Sequence, residues 1–185
     1  MTPFLMDAGK LLVEVVFGFY TLAVLLRLLF QLVRADFYNP LSQFLVTLTN
    51  PPLRPLRRVI PGLWGVDFAS VVLLLALKAA ELYLIFLLSG VSAPLPLVAL
   101  AAVADLIRLT LYVFTFAVLG RVIMSWVNPY GGHTHPVAGL LISLTEPLLR
   151  PARRLIPPVA GLDLSPIAVL VLLQLLLLAL EHLLR

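Results

Sequence analysis

The chain has 185 residues, of which 62% are hydrophobic and 12% are charged, and its mean hydropathy is +1.09. Soluble domains average about 45–50% apolar and about 25% charged residues, so this chain lacks the polar surface that a water-soluble fold needs. The absence of cysteine excludes disulfides, thiolate metal sites and a cysteine nucleophile. The net charge of +4 is more typical of basic loops beside a membrane than of nucleic-acid binding.

The N-terminal stretch does not have the pattern of a cleavable signal. No basic n-region precedes its apolar run, Asp7 lies early in the stretch, Glu14 interrupts it, and no small-residue cleavage pattern follows. We therefore expect the first apolar segment to remain in the mature protein.

Four apolar segments are long enough to cross a bilayer, which takes about 20 residues of helix. They cover residues 11–33, 68–88, 97–127 and 166–184. The third segment has the length of a tilted helix with a water-exposed end, or of a surface turn leading into a span. The predicted fold is an all-α membrane protein with four transmembrane helices.

The connectors between these spans alternate between basic and uncharged chemistry. The first, 34–66, and the third, 128–162, carry arginines, whereas 89–96 has no charged residue. Because Lys and Arg concentrate on the cytoplasmic side, we predict that both basic connectors are cytoplasmic and both termini periplasmic in an inner-membrane protein. Only Lys10 and Arg185, one near each end, oppose this orientation.

A repeat relates the two halves of the chain. The phrase NPPLRPLRRVIPG at 50–62 recurs as EPLLRPARRLIPP at 146–158, and residues 40–67 are identical to 136–163 at fourteen of twenty-eight positions. Upstream the match continues at an offset of ninety-four, which aligns Arg27 with Arg121. We predict a first repeat at 1–90 and a second at 97–185. Each would hold a span, a basic connector and a span, related by a pseudo-twofold axis along the membrane normal.

Each basic connector begins with apolar residues at helical spacing. They are Leu41, Phe44, Leu45 and Leu48 in the first copy, and Val137, Leu140, Leu141 and Leu144 in the second. Asn39 is a predicted cap, with Pro40 as the first helical residue. Pro51 and Pro147 are predicted to end this piece, because proline disfavours helical geometry at the preceding residue. The resulting short amphipathic helices would lie along the membrane surface or enter it as re-entrant elements.

Six arginines stand at equivalent positions of the two connectors: Arg54, Arg57, Arg58, Arg150, Arg153 and Arg154. A guanidinium group binds phosphate through two hydrogen bonds, and a basic residue near an anionic leaflet gains about 1 kcal/mol. The simplest interpretation is that these arginines only set the topology. The alternatives are a binding site for anionic lipid headgroups and a docking surface for a protein partner.

The outgoing spans begin after an acidic residue in both copies. Asp67 and Asp163 are interpreted as helix caps, or alternatively as ion-pair partners of an arginine in their own connector. In the second copy, Ser165 before Pro166 is a helix start signal.

Charged residues within or near the predicted spans are costly in hydrocarbon, so each is expected to have a partner. They are Glu14, Arg27, Lys78, Glu81, Asp105, Arg108 and Arg121. Lys78 and Glu81 are three residues apart, as are Asp105 and Arg108, and both pairs have the spacing for pairing within a helix. Arg27 and Arg121 lie near the cytoplasmic ends of their spans, from which a long side chain can snorkel to the interface.

Glu14 aligns with Arg108 at the offset of ninety-four. The pseudo-twofold axis would therefore bring opposite charges to equivalent depths, and we predict a Glu14–Arg108 contact between the repeats. In the alternative interpretation the intramembrane charges line an ion or proton path, which in so small a bundle would require a homo-oligomer.

The sequence contains no constellation of catalytic or cofactor-binding residues. A Gly-rich phosphate loop, a nucleophile elbow and a paired-His zinc helix are all missing. His133 and His135 lie in a Gly-rich stretch without a third ligand, so a metal site is not expected. We expect no enzymatic activity, no cofactor and no nucleic-acid partner.

The pattern R…NP…LT.P.LRP.RR.IP…G.D, carried by both halves, resembles the YggT family of small bacterial inner-membrane proteins. The resemblance extends from Arg27 to Ile167, and the first copy departs from it at Asn50, where the second has Glu146. It implies a family without an established reaction, whose members are linked to osmotic or envelope stress tolerance, to division, and in plastids to haem attachment.

Together the residues and the resemblance predict a non-enzymatic scaffold or assembly factor that binds anionic lipid or a partner protein. The alternative is a small oligomeric channel or transporter for ions or osmolytes.

Overall fold

The computed structural model of the chain describes residues 3–63, 65–127, 136–156 and 163–184. These residues form six α-helices: α1 (Pro3–Leu32), α2 (Pro40–Val59), α3 (Phe68–Leu88), α4 (Leu95–Val127), α5 (Pro136–Leu155) and α6 (Ser165–Leu183). Helices α1, α3, α4 and α6 are long and apolar enough to cross a membrane, which confirms the all-α class and the four predicted spans. The chain is an α-helical membrane protein. His133 and His135 lie outside the described residues.

The observed ends of the spans differ from the predicted ones mainly at α1. This helix begins at Pro3 rather than at position 11. Asp7 and Lys10 are three residues apart, and their charged groups approach to 3.8 Å on the same side of the helix. The first turns are therefore helical, and the apolar helix that could cross a membrane extends from Phe4 to Leu32.

The described residues divide into two compact units. Unit 1 combines Met1–Leu28 with Phe44–Ile107, and unit 2 combines Leu29–Gln43 with Arg108–Arg185. These units are not the predicted repeats, because the end of α1 and the beginning of α2 belong with the second half of the chain. The repeat boundaries at 1–90 and 97–185 stay a prediction.

Asn39 connects the beginnings of the two connector helices within unit 2. Its side-chain oxygen accepts a hydrogen bond from the N–H of Leu41 at 3.0 Å, which confirms the predicted cap. Its amide nitrogen donates to the carbonyl of Pro136 at 2.8 Å, where α5 begins. Asn39 is buried, so both hydrogen bonds are shielded from solvent.

Both connector helices contain prolines and continue through them: Pro51, Pro52 and Pro55 in α2, and Pro147 and Pro151 in α5. The predicted helix ends at Pro51 and Pro147 are therefore wrong. A proline inside a helix leaves the carbonyl four residues earlier without its N–H donor. In α2, the carbonyl of Leu48, four residues before Pro52, accepts a hydrogen bond from the Tyr20 hydroxyl at 3.3 Å. A side chain of α1 thus replaces a missing donor of α2.

The second copy differs from the first at both members of this pair. Phe114 aligns with Tyr20, and Leu148 aligns with Pro52. Leu148 has a backbone N–H, so no hydroxyl is needed at position 114. Phe114 and Leu148 instead pack together against the buried core of unit 2, which consists of Val118, Leu149, Val169 and Leu173.

Large apolar side chains also cover the outside of the spans. Phe19 of α1 and Phe116 of α4 are more than 60% exposed, as are several residues nearby. Exposed apolar surface on this scale marks contact with another apolar phase. In this protein that phase is the hydrocarbon of the bilayer.

Candidate functional site: the arginine-bearing connector helices

Arg27 of α1 contacts the connector helix of unit 1. Its Nη1 donates to the hydroxyl of Thr49 at 2.7 Å and to the carbonyl of Val46 at 3.3 Å. Thr49 is fully buried, and its hydroxyl donates in turn to the carbonyl of Leu45 at 2.6 Å. The charged end of Arg27 therefore fixes α2 against the first span.

The same contact occurs in unit 2. Arg121 of α4 donates to the hydroxyl of Thr145 at 2.8 Å, and that hydroxyl donates to the carbonyl of Leu141 at 2.7 Å. Neither threonine is among the apolar positions predicted for its connector, and no role was predicted for either from the sequence. The signal that could have found them is that a threonine occupies this position in both copies of the repeat, just as an arginine occupies positions 27 and 121.

A second contact closes the other end of the connector in unit 1. Asp67 accepts hydrogen bonds from Arg57, including one from Nε at 3.2 Å, and from the Ser70 hydroxyl at 2.6 Å. We call these three residues the first clasp. Asp67 immediately precedes α3, and its carboxylate binds the side chains of Arg57 and Ser70. The first clasp therefore fastens the end of α2 to the beginning of α3.

The carboxylate of the first clasp is held in its charged form. Only 7% of the Asp67 side chain is exposed. Burial raises the pKa of Asp67, but hydrogen bonds from Arg57 and Ser70, together with the charge of Arg57, outweigh it and lower the pKa below its ordinary value.

The equivalent contact in unit 2 joins Arg153 to Asp163, and we call it the second clasp. Arg153 Nε donates to Asp163 at 2.9 Å, and the other carboxylate oxygen accepts from the N–H of Ser165 at 2.9 Å. Burial raises the pKa of Asp163, but hydrogen bonds from Ser165 and Arg153 hold it below its ordinary value. Ser165 is the first residue of α6 and is buried. The Asp163 side chain is 42% exposed, compared with 7% for the Asp67 side chain.

Glu146 gives the second copy an additional bridge. One of its carboxylate oxygens lies 2.9 Å from Arg121, and the other lies 3.4 Å from Arg153. The first copy has Asn50 at this position, and among the described residues Arg57 has its ion pair with Asp67 only. Glu146 thereby links Arg121 of α4 to Arg153 of the second clasp.

The other four of the six arginines at equivalent positions form two outer pairs, Arg54 with Arg58 and Arg150 with Arg154. All four are exposed, and within the described residues none has an ion-pair or hydrogen-bond partner. Residues four apart lie on the same face of a helix. The six predicted arginines therefore separate into two classes, in which the middle one closes a clasp and the outer two extend into the surroundings.

Three of the intramembrane charges meet between α3 and α4 in unit 1. Lys78 Nζ lies 2.8 Å from Glu81 and 3.8 Å from Asp105. The Glu81 side chain is only 5% exposed, and its second carboxylate oxygen is buried without a hydrogen-bond partner in the described part of the chain.

Glu14 and Arg108 belong to different units. Glu14 is exposed on α1 in unit 1 and has no partner among the described residues of that unit, whereas Arg108 is half-buried in unit 2. Their predicted contact stays a prediction.

Comparison with known proteins finds one family twice along the chain. The model of the CCB3/YggT family matches residues 6–88 and 100–184, which confirms both the predicted resemblance and the internal repeat. An uncharacterized protein of Pseudomonas aeruginosa is 47% identical over 150 residues, which cover 80% of this chain and 75% of that protein. The uncharacterized protein YggT of Escherichia coli is 38% identical over 168 residues, which cover 91% and 86%. No solved structure matches the chain.

Proposed function

This chain belongs to the CCB3/YggT family, and from that membership we propose that it is a non-enzymatic inner-membrane scaffold or assembly factor. Its basic connectors face the cytoplasm and bind anionic lipid or a partner protein at the membrane surface. The observation that carries this proposal is the division of the six arginines. Two of them, Arg57 and Arg153, are bound to aspartates in the clasps. The other four are exposed and have no partner within the described residues.

The clasps distinguish this arrangement from loose charge that only sets topology. Topology requires basic residues on one side of the membrane, without any fixed position. Here Arg57 and Arg153 hold the end of each connector helix to the start of the next span. A binding surface gains from such preorganisation, because less freedom is lost when a ligand binds.

The test compares the purified wild-type chain with a variant in which Arg54, Arg58, Arg150 and Arg154 are all changed to Gln. After gentle extraction in a neutral detergent, mass spectrometry of the co-purified lipid should show anionic lipid enriched over zwitterionic lipid in the wild type only. Crosslinking in native membranes should likewise give products that the variant lacks. Arg34→Gln, which removes an exposed arginine outside the outer pairs, is the matched control.

An unchanged lipid profile together with unchanged crosslinks in the fourfold variant would mean that these arginines act only on topology. The scaffold proposal would then have lost the observation that carries it.

The charges between α3 and α4 favour a second candidate function, a small oligomeric channel or transporter. Glu81 has a buried carboxylate oxygen without a described partner inside a span, next to Lys78 and Asp105. Intramembrane ionisable groups of this kind commonly mark ion or proton routes. Wild-type protein in liposomes should then pass ions, and Glu81→Gln should abolish the flux. If liposomes that contain the wild-type protein show no ion flux, this function is excluded.

A further inference from the structure

We propose that each outer pair, Arg54 with Arg58 and Arg150 with Arg154, is a clamp for a lipid headgroup that carries two phosphate charges. This inference rests on the proposed function and specifies the ligand of the same surface. The preferred headgroup is dianionic, either a phosphomonoester or two linked phosphodiesters, and the membrane is its source.

The spacing within each pair sets the charge of the ligand. Residues four apart on a helix have Cβ atoms about 5–6 Å apart, so the two guanidinium groups reach a common point above the helix. Each guanidinium fork binds one phosphate through two parallel hydrogen bonds. A headgroup with a single phosphodiester engages one fork and leaves the other unmatched, whereas a dianionic headgroup engages both.

The neighbouring residue identifies the source as lipid. Val59 follows Arg58, Leu155 follows Arg154, and these side chains are 82% and 83% exposed. An exposed apolar residue next to cationic ones at a helix end is typical of insertion into the boundary between headgroups and acyl chains. A soluble phosphate would need no such residue. Each connector also leads directly into a span, at Phe68 and at Ser165, which brings the pair to the bilayer surface.

The clasps fix the spacing of the two arginines in each clamp. The middle arginines, Arg57 and Arg153, lie between the members of each pair in sequence but are bound to Asp67 and Asp163. They are thereby withheld from the ligand. Because each clasp fastens the last turn of its connector helix, the outer arginines keep their helical spacing in a segment that contains several prolines.

The experiment measures lipid binding to the full chain in neutral detergent by native mass spectrometry. The lipids are phosphatidylglycerol with one phosphodiester, cardiolipin with two, and phosphatidate with a phosphomonoester, compared at equal total charge. Inorganic pyrophosphate is the soluble probe. Cardiolipin and phosphatidate should bind the wild type about tenfold more tightly than phosphatidylglycerol, since the second fork adds a charge-assisted contact.

Substitutions in the clamp separate fork geometry from charge. A variant with Gln at positions 54, 58, 150 and 154 should lose this preference. A variant with Lys at the same four positions keeps the charge but not the fork, so it should bind all three lipids about equally. Arg34→Gln should leave the preference unchanged. Melting temperatures of the variants close to that of the wild type confirm that the clasps are intact.

The outcomes separate this inference from the proposed function. If binding follows total charge and the three lipids bind alike to the wild type, the clamp is wrong while a lipid-binding scaffold stands. If pyrophosphate binds as tightly as cardiolipin, the membrane is not the source and the clamp inference is overturned. If no anionic lipid binds and crosslinks are also unaffected, both proposals fail.

Discussion

Arg57 and Arg153 occupy the same position of the repeat but pair with carboxylates in different surroundings. The Asp67 side chain is almost fully buried, whereas 42% of the Asp163 side chain is exposed. Removing one partner of a buried ion pair leaves an uncompensated charge, while an exposed pair contributes about 0–1 kcal/mol at most. The first clasp therefore matters more for stability than the second.

We predict that the contribution of the first clasp is lost in acid. Burial raises the pKa of Asp67, but its hydrogen bonds from Arg57 and Ser70 lower it overall. A carboxyl with a lowered folded pKa stabilises the protein above the pKa of the unfolded chain, about 3.9, and this stabilisation disappears as the pH falls through the folded value. The melting temperature of the wild type in detergent should therefore drop below about pH 4.

The variant Asp67→Asn should melt lower than the wild type at pH 7 and lose less on acidification. Asp163→Asn is the matched comparison, and its effect at pH 7 should be smaller because that carboxylate is wetter. Parallel acid profiles for the wild type and Asp67→Asn would contradict a charged first clasp.

The sequence was sufficient to identify the residues of the site. It was not sufficient to tell which arginines bind an aspartate and which stay exposed. All six connector arginines and both aspartates were identified, since they recur at equivalent positions. Which arginine reaches an aspartate depends on how the last turn of α2 or α5 faces the start of the next span. The separation of ten residues between Arg57 and Asp67, repeated between Arg153 and Asp163, was the available signal.

The two connector helices continue through their internal prolines, which a rule based on the local sequence alone did not predict. Proline disfavours helix because it removes an N–H and crowds the preceding turn. That rule considers only the segment itself, and it could not anticipate a hydroxyl from α1 at the carbonyl of Leu48. The spans were predicted well, in contrast, because apolar length is a property of the segment alone.

We predict that the Tyr20 hydroxyl stabilises α2 only because position 52 is proline. Tyr20→Phe should lower stability by about 1 kcal/mol, since the Leu48 carbonyl loses its donor. In a Pro52→Leu background, which restores the N–H, the same change should have little effect. A double-mutant cycle on thermal unfolding in detergent measures this coupling.

The control for this cycle is Tyr83→Phe, which removes an exposed hydroxyl from α3. It should leave stability unchanged in both backgrounds. An equal loss from Tyr20→Phe in the wild-type and Pro52→Leu backgrounds would show that the hydroxyl does not substitute for the missing N–H.

The apolar spacing of the connector did not predict which of its side chains are buried. Phe44 belongs to the predicted stripe but is 56% exposed, whereas Thr49 and Leu53 are fully buried. In a membrane, both lipid and protein are apolar surroundings, so periodicity does not reveal which face packs on protein. The buried hydroxyl of Thr49 marks the protein-facing side more clearly than the leucines do.

For the whole molecule, the orientation in the membrane gives a direct prediction. The chain has no cysteine, so a single introduced thiol is the only reactive one. Ser92→Cys, in the connector between α3 and α4, should react with an impermeant maleimide in right-side-out vesicles. Asp36→Cys, between α1 and α2, should react only in inverted vesicles, because the basic connectors are predicted to be cytoplasmic. The reverse labelling pattern would contradict the proposed topology.

The repeat was visible in the sequence, whereas the grouping of residues 29–43 with the second half was not. The family matches at 6–88 and 100–184 follow the duplicated motifs. The hydrogen bond from Asn39 to Pro136 joins residues ninety-seven positions apart and has no counterpart in any local pattern.

The pairing of Tyr20 with the Leu48 carbonyl constrains the order in which the two duplicated halves could diverge. A carbonyl has two lone pairs, so a tyrosine hydroxyl can donate to it while a leucine at position 52 still supplies an N–H. Starting from the Phe–Leu combination of the second copy, tyrosine first and proline second never leaves that carbonyl without a donor. Proline first does. On that path the Tyr20 hydroxyl is optional while position 52 is leucine, whereas with proline at position 52 a return to phenylalanine at position 20 alone costs about 1 kcal/mol.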